Sequence, residues 1–264
     1  VEAAMEHGEG NNENVREPVI VVSDVHLGST SSNYTDFWEF LGWLGTTLNA
    51  EGTAFKCNGK ELTMRRPGTL VLLGGILELW DPRKDDRNYV AKDALTPLSI
   101  LNELDCDIIY VIGNHDEDLL EFKRVWGKKG VEFPYNGKGT FKIVFRSSVK
   151  RGTSVEDVVN GCYKPKKGRH IIADTIVFGH THNAGWYMKE PKEPEEKKRM
   201  FINTGCWVSD CEEEGGIPNT FLYIDTKAPY LLQWDKEEIK LVERREGTPP
   251  RFLHEWYQNS LLKL

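Results

Sequence analysis

Apolar positions along this chain fall into two patterns: short unbroken runs, and longer stretches with helical spacing. Val19-Ile20-Val21-Val22 is β-branched and continuously apolar, as in a strand covered on both faces. Phe37, Phe40, Leu41, Leu44 and Leu48 recur at helical spacing over 36–48, with Asp36 placed to cap that helix. Residues 51–66 are polar around Asn58-Gly59, the signature of a tight hairpin turn. A second strand is expected at 69–73, a charged loop at 81–87, a helix at 90–104, a third strand at 108–112 and a helix at 117–126.

Beyond Phe133 the punctuation thickens with Pro134, Gly137 and Gly139, ahead of a strand at 140–145. A short helix is expected at 154–159, a basic loop at 164–169 and a strand at 175–178. Residues 189–199 are almost wholly charged or proline and read as a solvated loop. Strands near 200–203, 220–225, 230–234 and 238–244 are spaced like an antiparallel meander. The tail after Pro249-Pro250 places Phe252, Leu253, Trp256, Tyr257 and Leu261 on one helical face, which predicts a helix docked on its own domain. Strand–helix alternation followed by clustered strands predicts an α/β fold with helices layered around a mixed sheet. The expected organisation is a disordered leader at 1–17, one domain at 18–248, and the amphipathic helix at 249–264.

Four clusters stand directly behind predicted strands, where α/β folds collect ligands. Asp24-Val25-His26 follows the first strand, Gly74-Gly75-Ile76-Leu77-Glu78 the second, Gly113-Asn114-His115-Asp116 the third, and Gly179-His180-Thr181-His182 the strand at 175–178. Aspartate, asparagine and histidine together suit a borderline transition metal. Two such ions can clamp a phosphoryl group and activate water for in-line attack, and a nearby histidine can protonate the leaving oxygen near neutral pH.

Asp24-x-His26, Gly113-Asn114-His115-Asp116 and Gly179-His180-x-His182, in that order, resemble the calcineurin-like metallophosphoesterases. The resemblance spans about residues 18–208 and includes Asn203-Thr204-Gly205-Cys206-Trp207, similar to a turn that follows the last ligands. It implies a four-layer sandwich of two mixed β-sheets flanked by helices. It further implies Asp24, His26 and His182 on one metal, Asn114 and His180 on the other, and His115 as general acid oriented by Asp116. Two divalent transition metals are implied, manganese first, with zinc, iron or cobalt as alternatives. The stretch Glu78-Leu79-Trp80-Asp81 with Asp85-Asp86 is similar to the branch of UDP-diacylglucosamine pyrophosphatases, although His115 departs from the arginine common there.

The chain departs from the family pattern at two further places. The second motif of the family is close to G-D-x-x-E, and its aspartate bridges both metals; here that position is Gly75. Glu78 reads as structural, bonding a loop backbone. The histidine that normally ends a strand between the third and last motifs is also missing. Only His170 lies in that interval, within a basic loop, and it reads as a surface residue. Trp80 and Trp207 read as core or rim packing. The expected function is hydrolysis of a phosphomonoester or phosphodiester, impaired by Gly75; the alternative is an inactive scaffold acting in protein interaction.

Charge and cysteines narrow the setting. A net charge of −7 gives no global attraction for nucleic acid or anionic membrane, so the expected partner is a small phosphate ester or nucleotide-type substrate. No stable nucleic-acid binding is expected, and a homo-oligomer stays open. Five scattered cysteines without a C-x-x-C pair suggest reduced thiols. No basic-then-apolar leader and no apolar stretch of roughly 18 residues is visible, so a cytoplasmic location is expected.

Overall fold

The computed structural model describes residues 15–116, 130–135, 139–144, 150–162, 173–191, 198–236, 238–243 and 252–261. Two mixed sheets dominate the fold. The first has the order β13-β12-β11-β1-β4-β5. Its parallel strands are β1 (Val19–Val22), β4 (Thr69–Leu73) and β5 (Asp107–Val111), with β5 at the edge. Antiparallel β11 (Thr220–Ile224), β12 (Pro229–Asp235) and β13 (Glu238–Leu241) extend it as a meander. The second sheet has the order β6-β7-β8-β10-β9. There β7 (Gly139–Val144), β8 (Thr175–Phe178) and β10 (Arg199–Asn203) run parallel. The antiparallel edges are β6 (Gly130–Tyr135) and β9 (Gly185–Lys189).

Alternation along the strands shows how the layers stack. Val177, Met200 and Ile202 join the main core with β1, β4 and β11, whereas Ile176, Phe178 and Phe201 turn outward. That outer face packs on Val155, Val158 and Val159 of α3 (Val155–Cys162). On the other side, Phe37, Phe40, Leu41 and Leu44 of α1 (Tyr34–Thr46) and Ala94 and Leu101 of α2 (Asn88–Glu103) cover the first sheet. The result is the α/β sandwich of two mixed sheets flanked by helices that the motif resemblance implies.

The hairpin of β2 (Thr53–Cys57) and β3 (Lys60–Met64) turns at Asn58 and Gly59, both at positive φ, as its Asn-Gly predicts. Helix α4 (Leu253–Leu261) packs on β12 with Leu253 and Tyr257 buried.

Several expectations change. Asp36 lies inside the first turn of α1 and makes no cap; it accepts a hydrogen bond from Asn219 and pairs with Lys236. The strand at 200–203 leaves the meander to run parallel to β8 in the other sheet. Strand β6 carries Pro134, whose missing N–H is tolerated on an edge. The helix expected at 117–126, the basic loop at 164–169, His170 and most of 1–17 lie outside the described residues.

Candidate metal centre

Because β1, β4 and β5 are parallel, as are β8 and β10, the loops leaving their carboxyl ends gather at one end of the sandwich. Backbone hydrogen bonds continue the sheet into these loops. Asp24 and His26 donate to the carbonyls of Gly74 and Gly75, and Gly74 donates to Val111. Trp207 N donates to the carbonyl of Asp24, which ties the turn after β10 to the same point.

Seven described non-glycine residues have positive φ, and four of them are Asp24, His26, His180 and His182. Left-handed backbone is costly for such side chains and concentrates at functional loops held by their surroundings. Here it accompanies the turns that bring Asp24, His26 and His182 together. Asp24, His26 and His182 place ligand atoms within 4.8 Å of one another, all buried. Oδ1 of Asp24 is 3.7 Å from Nε2 of both His26 and His182, and the two Nε2 atoms are 3.2 Å apart. Oδ2 of Asp24 accepts the amide of His180 at 2.7 Å, which fixes the carboxylate across the two sheets.

Glu78 forms the second convergence, with His26 and His115. Its Oε2 lies 2.7 Å from Nδ1 of His26, and its Oε1 lies 2.7 Å from Nδ1 of His115. Oε1 also accepts from the amides of Trp80 and Asp81, at 3.3 Å and 3.0 Å. The expected backbone bonds are therefore present, but the carboxylate's main work is to orient two imidazoles. Asp116, expected to orient His115, does not: it accepts from the amides of Leu77, Gly113 and Ile76 and so shapes the loops.

Charge follows this arrangement. Burial raises the Glu78 carboxyl, yet hydrogen bonds from His115 and His26 hold it well below the usual carboxylate range. Burial likewise opposes ionisation of Asp24, but the neighbouring His26 and His182 keep its pKa low. At His26 burial lowers basicity, and Asp24 and Glu78 outweigh it to raise the pKa to about 9. Burial dominates at His182, lowered to about 4.

Gly75 faces the cradle. A Cβ on it would sit 2.9 Å from Oδ1 of Asp24 and 3.3 Å from Nε2 of His26, on backbone at φ +61°. A side chain at this position would therefore point inward and press on the Asp24 carboxylate. Asn114 Oδ1 is buried without a hydrogen-bond partner, an unclaimed oxygen donor beside His115. His180 joins neither three-residue group among the described residues. Glu78 does more than its sequence reading gives it, and Gly179 is more than a member of its motif: a Cβ there would strike Oδ2 of Asp24 at 2.5 Å and the side chain of Ser23. Asn203, in the turn that resembles the family's, spans Thr181 Oγ1 and the amide of Gly205.

No protein-family model matches the chain, and none of the curated proteins matches it. Among solved structures it is similar to a conserved uncharacterized protein, a predicted phosphoesterase, from Streptococcus pneumoniae. Identity is 15%, the TM-score is 0.38, and the match covers 86% of this chain and 97% of that one. A protein of unknown function from Aquifex aeolicus matches at 18% identity and a TM-score of 0.33, covering 62% of this chain and 79% of that one. Within the described residues, no helix is long and apolar enough to cross a membrane.

Proposed function

We propose that this chain is a metal-dependent phosphoesterase, acting on a phosphomonoester or phosphodiester at a centre built for two divalent ions and weakened by Gly75. The observation that carries this reading is the convergence of Asp24 Oδ1, His26 Nε2 and His182 Nε2 in a buried space at the strand ends. The donors suit a borderline transition metal such as manganese, zinc, iron or cobalt. They fit one ion well. For a second, Asn114 Oδ1 is an available donor, while Gly75 supplies none.

A divalent ion there would polarise the phosphoryl group and make a water acidic enough to attack near neutral pH. The chain's own residues do the rest. Glu78 holds Nδ1 of His26, so that Nε2 is the nitrogen turned to Asp24 and His182. Glu78 also holds Nδ1 of His115, so that the imidazolium form would present Nε2–H to the leaving oxygen and return to neutral imidazole on giving it up. His115 is partly exposed, at the mouth of an otherwise buried cluster. Cys57, Cys106, Cys206 and Cys211 are free thiols, which supports a reducing and hence cytoplasmic setting.

Gly75 also favours a second reading, a scaffold that keeps the fold and interacts with proteins. Elemental analysis after Mn or Zn loading, beside bis-p-nitrophenyl phosphate hydrolysis, separates the two for this chain and Gly75→Asp. Higher metal content and turnover on restoring the carboxylate supports the phosphoesterase reading. Full metal uptake with no hydrolysis by either protein supports the scaffold.

A further inference from the structure

Trp80 stands out among the large apolar side chains. It is 57% exposed, yet its ring centroid lies 5.2 Å from that of His115, with the planes tilted by 41°. Tryptophan usually buries most of its surface. Here one flank rests on a residue of the candidate centre and the rest faces solvent.

The loop that carries Trp80 is fastened rather than loose. The amides of Trp80 and Asp81 donate to Glu78, and Arg83 N donates to the carbonyl of Gly28 at 2.8 Å. The Arg83 guanidinium pairs with Asp93 and lies over the ring of Tyr89. One carboxylate, Glu78, therefore fixes both the imidazole of His115 and the backbone that presents the indole. Ring to ring, Trp80 is two steps from the metal-ligating cradle: 5.2 Å to His115, then 4.5 Å to His26. The indole is thus one side chain, that of His115, away from the cradle.

We infer that Trp80 is a stacking platform for a planar ring carried by the substrate, which makes the substrate class nucleoside phosphates. The inference rests on the phosphoesterase reading and adds the recognition of the leaving or retained group. Stacking of a base on an aromatic side chain tolerates any base, since each has a π-face, and strengthens binding by about tenfold or more. Trp80 thus sets ring-bearing esters apart from plain sugar phosphates without choosing among bases.

The test is binding rather than turnover. Affinities of adenosine 5′-monophosphate, ribose 5-phosphate and inorganic phosphate are measured by calorimetry on the Mn-loaded full chain, on Trp80→Ala and on Trp80→Phe. The expected result is a preference for the nucleotide over ribose 5-phosphate of about tenfold, lost in Trp80→Ala and largely kept in Trp80→Phe. Competition between phosphate and nucleotide places both at one site. Equal affinity for nucleotide and ribose 5-phosphate, or an unchanged preference in Trp80→Ala, overturns the stacking role and leaves the phosphoesterase reading standing. Binding of none of the three ligands overturns that reading, and the inference falls with it.

Discussion

Nε2 of His26 and Nε2 of His182 face one another at 3.2 Å, with Oδ1 of Asp24 at 3.7 Å from each. Two lone pairs at that spacing repel unless a proton or a cation lies between them. With His26 raised to about 9 and His182 lowered to about 4, the metal-free protein keeps a proton on His26 at neutral pH. An ion that binds Nε2 must displace it. Metal affinity is expected to rise with pH up to about 9. Zinc titrations in buffers of different ionisation enthalpy should show about one proton released per ion near neutrality; release of none would contradict this account.

The same two shifts shape stability without metal, with opposite signs. His26 is raised, so its contribution is complete below the unfolded value near 6.5 and fades as pH climbs through about 9. His182 is depressed, so its contribution fades as pH falls from 6.5 through about 4, and the depressed Glu78 adds to that acid-side loss. Calorimetric melting of metal-free protein should peak near pH 6.5 and decline on both sides.

Replacing Glu78 with alanine releases both imidazoles and strands the amides of Trp80 and Asp81. A buried carboxylate with charged partners costs about 3 kcal/mol when removed. Metal affinity should drop about 10- to 100-fold, as for other outer-sphere carboxylates. Glu78→Gln, which keeps size and an acceptor oxygen, should recover part of the stability and little of the affinity.

Gly75→Asp sets a carboxylate against Asp24 on left-handed backbone. Without metal this should destabilise the fold by about 1–2 kcal/mol, through backbone strain and like-charge repulsion. Manganese should reverse that loss, whereas Gly75→Ala should stay destabilised at any metal concentration. Melting temperatures with and without manganese decide the matter.

Gly179→Ala drives a methyl into Oδ2 of Asp24 and the side chain of Ser23. Overpacking of this kind costs about 2 kcal/mol. Because Asp24 must move, metal content should fall with stability. An alanine variant that binds metal normally would show that Asp24 tolerates displacement.

Much of the fold was legible because the most buried parallel strands of both sheets stand out as continuous apolar runs. β1, β4 and β8 are found where those runs fall, since burial on both faces leaves no polar alternation to blur them. β9 escaped because its pattern of half-buried and buried residues lies next to a charged loop. β10 joined the wrong sheet because nothing local distinguishes a strand that crosses over from one that turns back. The cradle residues were legible as motifs, yet the carboxylate that orients His115 was assigned to its neighbour Asp116 when it is Glu78, 37 positions earlier. Sequence adjacency suggests one partner; the parallel register of β4 and β5 supplies another.

The tie between Asp24 Oδ2 and the amide of His180 spans 156 residues. During synthesis Asp24 and His26 therefore leave the ribosome long before His182 exists to face them. A nascent chain ending ahead of β8 has two donors of the cradle and none of the geometry. An ion held at the cradle would thus be captured by the finished molecule and not by the nascent chain.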